Sequence, residues 1–60
     1  MYWIWVKAYQ NGEYMGCSRS VKSYVRKGNA ERVAKEWYKD HGNIHYEVAI
    51  SGSYPFKEDA

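Results

Sequence analysis

A single cysteine, Cys17, stands in the 60-residue sequence, so no internal disulfide can brace the fold. Secreted domains of this size usually depend on several such bridges, and a reducing, cytoplasmic location is expected instead. Hydrophobic runs are short. Met1 to Val6 is apolar for six residues before Lys7 interrupts it, too brief for a signal peptide's apolar region and far short of a membrane span. A soluble, uncleaved chain with no membrane partner is expected. Glycine is scattered over positions 12, 16, 28, 42 and 52 rather than gathered into a phosphate-cradling loop. Charge is nearly balanced at +2, which favours anionic partners mildly and names none. A chain this short buries only about 60% of the surface its unfolded form exposes, which works against a deep, dry active site.

Aromatic residues are abundant, with three Trp and seven Tyr. Tyr2 to Tyr9 and Tyr14 to Ser20 flank Asn11-Gly12, the dipeptide best suited to a two-residue hairpin turn. Counting outward from that turn pairs Tyr9 with Tyr14, Lys7 with Gly16, Trp5 with Ser18 and Trp3 with Ser20 on one face. The other face then carries Ile4, Val6 and Ala8 opposite Arg19, Cys17 and Met15, and reads as core. Val21 to Lys27 alternates and is a candidate third, shorter strand. Asn29 is expected to cap a helix whose apolar stripe runs through Ala30, Val33, Ala34, Trp37, Tyr38 and His41, with Trp37 at its centre and Gly42-Asn43 ending it. Glu31 with Lys35 and Arg32 with Glu36 make a solvated opposite side. Ile44 to Ser51 alternates again, with Ile44, Tyr46, Val48 and Ile50 inward. The expected fold is therefore α+β: a small two-layer domain over 1–52, an antiparallel or mixed sheet with one helix packed on one face, followed by a flexible tail over 53–60.

One helix covers one side of such a sheet. Trp3, Trp5, Tyr9 and Tyr14 are left on the other, with Lys7 and with Lys22, Tyr24 and Arg26 expected beside them. Four rings, each with roughly 150–250 Å² to bury, make a patch larger than a monomer normally leaves without a use. Four basic residues (Arg19, Lys22, Arg26 and Lys27) and no acid lie between Tyr14 and Ala30. The expectation is a non-enzymatic module binding nucleic acid: Trp3, Trp5, Tyr9 and Tyr14 stack on bases, and Lys7, Arg19, Lys22, Arg26 and Lys27 meet phosphates. Three alternatives use the same face. It is a protein-interaction or inhibitor surface of the kind small phage or mobile-element genes encode, a homodimer interface, or the seat of a folded-back tail with Tyr54, Pro55 and Phe56 over Trp3 and Trp5. In outline, Trp5 to Trp37 resembles sheet-plus-helix DNA-binding modules such as the amino-terminal domains of some phage integrases, from which the strand Ile44 to Ser51 departs; no functional residue is carried over.

Catalytic and metal chemistry find little support. His41 and His45 are four apart, but Gly42-Asn43 breaks the helix between them, so they share no helical face. Cys17 has no base at a meaningful spacing and reads as a small core residue opposite Val6. The acids Glu31, Glu36 and Asp40 fall on the helix's polar side. No enzyme activity, metal or cofactor is expected.

Overall fold

The computed structural model describes residues 1–56. Strand β1 (Trp3–Gln10) turns into β2 (Glu13–Arg19), helix α1 (Lys27–Trp37) follows, and β3 (Ile44–Ser51) closes the fold. The sheet order is β2-β1-β3, with both outer strands antiparallel to the central β1. β2 and β3 thus run the same way on opposite sides of β1, and the chain must cross over the sheet to join them. The helix makes that crossing. The expected small two-layer α+β architecture is what forms, with an entirely antiparallel sheet.

Asn11 and Gly12 both take positive φ, 54° and 80°, as a type I′ hairpin turn requires. Tyr9 faces Tyr14 as the count from the turn predicts, but the register then slips. Met15 is an extra residue, a β-bulge, made accessible by Gly16 at φ 129°. Beyond it Ala8 faces Gly16, Lys7 faces Cys17, Val6 faces Ser18 and Trp5 faces Arg19. Every later β2 side chain has changed face relative to the expectation, because strand side chains alternate with a period of two. Cys17 is therefore exposed opposite Lys7, not a core residue opposite Val6. Ser18 and Gly16 take the places expected of apolar residues.

The core lies between β1, β3 and the helix. Ile4, Val6, Ala30 and Ala34 are buried, with Tyr24, Val33, Tyr38, Tyr46 and Ile50 packed around them. Pairings Val6 with Val48 and Ile4 with Ile50 place the even-numbered β3 residues on this side, as their alternation predicts. Trp37 is the exception to the expected stripe: it is 74% exposed. Ala30 and Ala34 are the helix residues buried against the sheet, and Trp37 is the last residue of the helix. Trp37 instead walls an open groove of about 460 Å³ with Val21, Lys22, Tyr24 and Val33. The candidate strand Val21–Lys27 reduces to one bridge, in which Tyr2 and Tyr24 exchange backbone hydrogen bonds of 2.7 Å.

Both helix ends differ from expectation. Arg26, not Asn29, is the N-cap, and Asn29 sits inside the first turn where its Oδ1 accepts from Arg32 Nη2 at 3.3 Å. The helix stops at Trp37, before Gly42-Asn43, since those two residues form a tight turn in which His41 and Ile44 exchange hydrogen bonds of 3.0 and 2.9 Å. His41, expected in the helix stripe, lies beyond the helix and belongs to that turn. Asn43 also clasps the hairpin turn, donating from Nδ2 to Asn11 Oδ1 at 3.0 Å while its carbonyl accepts the Asn11 N–H at 2.9 Å.

These positions set two stability expectations, read by denaturant unfolding. Ile4→Ala should cost about 2–5 kcal/mol, because Ile4 is 1% exposed and packed with Val6, Ala30 and Ala34. Trp37→Ala should stay within about 0.5 kcal/mol, as for surface positions generally; a loss matching that of Ile4→Ala would contradict the rim placement of the indole.

Candidate functional site

The sheet face away from the helix carries Trp3, Trp5, Lys7 and Tyr9 from β1, Tyr14 from β2 and, because of the bulge, Cys17 and Arg19 from β2. The Arg19 guanidinium carbon lies 3.9 Å from the Trp3 ring centroid and 5.9 Å from that of Trp5. A cation held over an indole face is attracted by the ring's electron distribution, worth about 0.5–1 kcal/mol where exposed. At the turn end Tyr9 and Tyr14 have centroids 5.6 Å apart, and His45 on β3 approaches Tyr9 at 6.1 Å. Sequence reasoning omitted His45 from the site, although the alternation of β3 puts it outward beside Tyr9.

Between these two ends the chain covers its own face. Tyr54 meets Trp5 edge-on at 5.7 Å, and Phe56 meets Tyr54 at 5.6 Å. Phe56 is 6% exposed, and the Lys7 ammonium lies 4.6 Å from its ring centroid with Lys7 itself only 4% exposed. Trp5 Nε1 donates to the Ser51 carbonyl at 3.1 Å, which fixes the indole between β3 and the covering segment. Of the expected tail, Tyr54 and Phe56 thus fold back over the sheet, but onto Trp5 and Lys7 where the alternative reading had Trp3 and Trp5, and 57–60 lie outside the described residues. A lone Phe following Pro55 was the available signal. Lys7 is a buried cation under a ring and is not presented to a phosphate.

The rest of the expected basic surface is not on this face. Lys22 lies 5.4 Å over the Tyr24 ring, and Tyr24 packs against the core on the helix side. Arg26 caps the helix, and Lys27 lines a groove with Glu31, Lys35, Val48 and Ile50 on that same side. Only Arg19 of the acid-free segment joins the rings. Connection geometry decides this: the chain leaves β2 at Arg19 and climbs onto the helix layer to begin its crossing.

Asp40 anchors the turn end. Its Oδ1 accepts the Tyr46 N–H at 3.0 Å and its Oδ2 lies 2.8 Å from His45 Nδ1. The Tyr46 amide, and then the His45 ring, hold the Asp40 carboxyl below its ordinary value of 3.8. No grouping of three metal-ligating side chains occurs among the described residues, and no helix there is long and apolar enough to cross a membrane.

Two measurements follow from this geometry. With a folded value below the unfolded 3.8, the Asp40 contribution to stability is complete above 3.8 and disappears as pH falls through the depressed value. The Tyr46 amide resonance should report that titration with a midpoint under 3.8 and lose it in Asp40→Asn; a midpoint at or above 3.8 would show the clasp to be absent. Ending the chain at Gly52 should raise iodide quenching of tryptophan fluorescence by uncovering Trp5. Equal quenching of both chains would mean that Tyr54 and Phe56 do not shield it.

Compared with protein-family models, with curated proteins and with solved structures, the chain matches none.

Proposed function

We propose that the protein is a non-enzymatic binding module whose ring-bearing sheet face takes single-stranded nucleic acid. The observation that carries this reading is the Arg19 guanidinium stacked on Trp3, on the same face as the Tyr9, Tyr14 and His45 group. Unpaired bases stack on flat side chains whatever their sequence, while a guanidinium beside them meets the phosphates. Trp3 and Tyr9 stand six positions apart on β1, about 20 Å at the rise of an antiparallel strand. The two ends are thus separate stacking points with the Tyr54 and Phe56 cover between them. Trp3, Tyr9, Tyr14, Arg19 and His45 are the residues assigned to contact; Trp5 and Lys7 support them from beneath the cover.

A second reading is favoured by what already lies on the face. Tyr54, Pro55 and Phe56 are a peptide segment, and the Trp5 ring takes the Tyr54 ring edge-on with Phe56 behind it. A partner protein presenting a similar aromatic segment would bind there by displacing them, with Trp, Tyr and Arg as its anchors.

Fluorescence titration of labelled single-stranded oligonucleotides at low and at physiological salt separates the readings. Nucleic-acid binding should weaken as salt rises, and Tyr14→Ala should cost about 1–3 kcal/mol through a lost stacking partner. Lys27→Ala, on the opposite layer, should change the affinity much less. An absence of binding even at low salt rejects the nucleic-acid reading and leaves a salt-tolerant protein partner.

A further inference from the structure

The two outer strands treat their free edges differently. β2 carries the bulge at Met15, which twists an edge away from further pairing. β3 is eight residues without irregularity. Its first positions are occupied: Ile44 exchanges hydrogen bonds with His41, and the Tyr46 N–H is taken by Asp40. Those bonds also show that even-numbered β3 residues aim their backbone groups away from β1, since the ladder alternates. Val48 and Ile50 therefore present N–H and C=O outward, and no hydrogen bond to them from that side occurs among the described residues. Alongside runs a groove of about 490 Å³ between α1 and β3, floored by Ala34, Val48 and Ile50 and walled by Lys27, Glu31 and Tyr38.

We propose that a second copy of this chain docks on this edge, β3 against β3, with Ala49 of each copy facing Ala49 of the other across a twofold axis. The edge argues for its own copy: run antiparallel about Ala49, β3 sets Val48 against Ile50 and Glu47 against Ser51, the self-complementarity that a twofold interface demands. In this register Val48 of each copy pairs with Ile50 of the other, exchanging backbone hydrogen bonds. On the helix side these are apolar neighbours, which close the open flank of the groove in each copy. On the ring side Glu47 meets Ser51, so no like charges oppose. Moving the axis to Val48 would require the Tyr46 N–H to leave Asp40 for the partner's Ile50 carbonyl. The ladder centred on Ala49 keeps that clasp. The result is a six-stranded antiparallel sheet whose two ring-bearing faces are continuous. This edge is distinct from the sheet face assigned to ligand, and the two claims stand or fall separately.

Sedimentation velocity of the full chain over a concentration series tests the association, with near-ultraviolet circular dichroism to verify folding. A reversible dimer is expected. Val48→Pro should be monomeric over the same concentrations, because proline removes an outward N–H and no bond of the β1–β3 ladder. Facing residues in a non-hydrogen-bonded antiparallel pair lie close enough for a disulfide, so Ala49→Cys placed in a Cys17→Ser background should cross-link on mild oxidation. This second variant reads the register even where the proline variant fails to fold. A folded chain that stays monomeric at every concentration overturns the proposal. So does a dimer that Val48→Pro leaves intact, or one in which the Ala49→Cys variant fails to cross-link; either would move the contact elsewhere.

Discussion

A central strand with side chains worth burying on both faces, and a single helix to cover them, is the constraint from which the rest of the molecule follows. β1 puts Ile4 and Val6 on one side and Trp3, Trp5 and Tyr9 on the other. The connection from β2 to β3 must pass over one face because both strands run antiparallel to β1. An 11-residue helix is about 16 Å long, against about 27 Å for an eight-residue strand, so even the face it crosses is only partly roofed. Ala30 and Ala34 seat it closely over β1 and β3, and the β2 side of that layer remains open, where Val21 is 97% exposed. The opposite face receives no regular element among the described residues, and the chain after β3 supplies Tyr54 and Phe56 in its place.

The bulge at Met15 decides what chemistry the ring face has. Without the extra residue Arg19 would lie on the helix side of the sheet, away from Trp3. With it, Arg19 crosses to the side of Trp3 and gains a stacking partner, while small Ser18 and Gly16 occupy the inner positions. The same shift exposes Cys17. One backbone irregularity thus moves a charge from the helix side of the sheet to the face of the Trp3 ring.

Much of the fold could be read from the sequence, and the reasons for the failures are physical. Asn11-Gly12, the Ala30 to Tyr38 spacing and the alternation of Ile44 to Ile50 are local signals, and each produced the element expected of it. The bulge was invisible because nothing in Tyr14-Met15-Gly16 distinguishes a slipped register from a regular one until Arg19 must choose a face. Gly42-Asn43 misled in another way. Glycine suits a helix end and a tight turn equally well, and the Asp40 clasp on Tyr46 and His45, which favours the turn, spans residues whose proximity is set by the packing of β3. The ring face itself was foreseen as Trp3, Trp5, Tyr9 and Tyr14. Its cover was foreseen only as an alternative, since Tyr54-Pro55-Phe56 has no periodicity to show where it lands. The basic surface was misread for a topological reason. Lys22, Arg26 and Lys27 are close to Arg19 in sequence, but the crossover begins between them and carries the later three to the other layer.

That separation of cations also explains how the ring face can be both covered and available. Trp5 is held by a hydrogen bond to the Ser51 carbonyl and by the edge of Tyr54, whereas Tyr14 and the Arg19 and Trp3 pair lie toward the two ends of the strand pair, to either side of that cover. The buried Lys7 ammonium under Phe56 further ties the cover to the centre of the sheet. A ligand with rings spaced along an extended backbone could engage the two ends while leaving the centre closed. A compact ligand would need the centre and would have to displace Phe56. On the proposed function, the geometry would discriminate by the length of what binds, and that selectivity would come from the cover rather than from any side chain that touches the ligand.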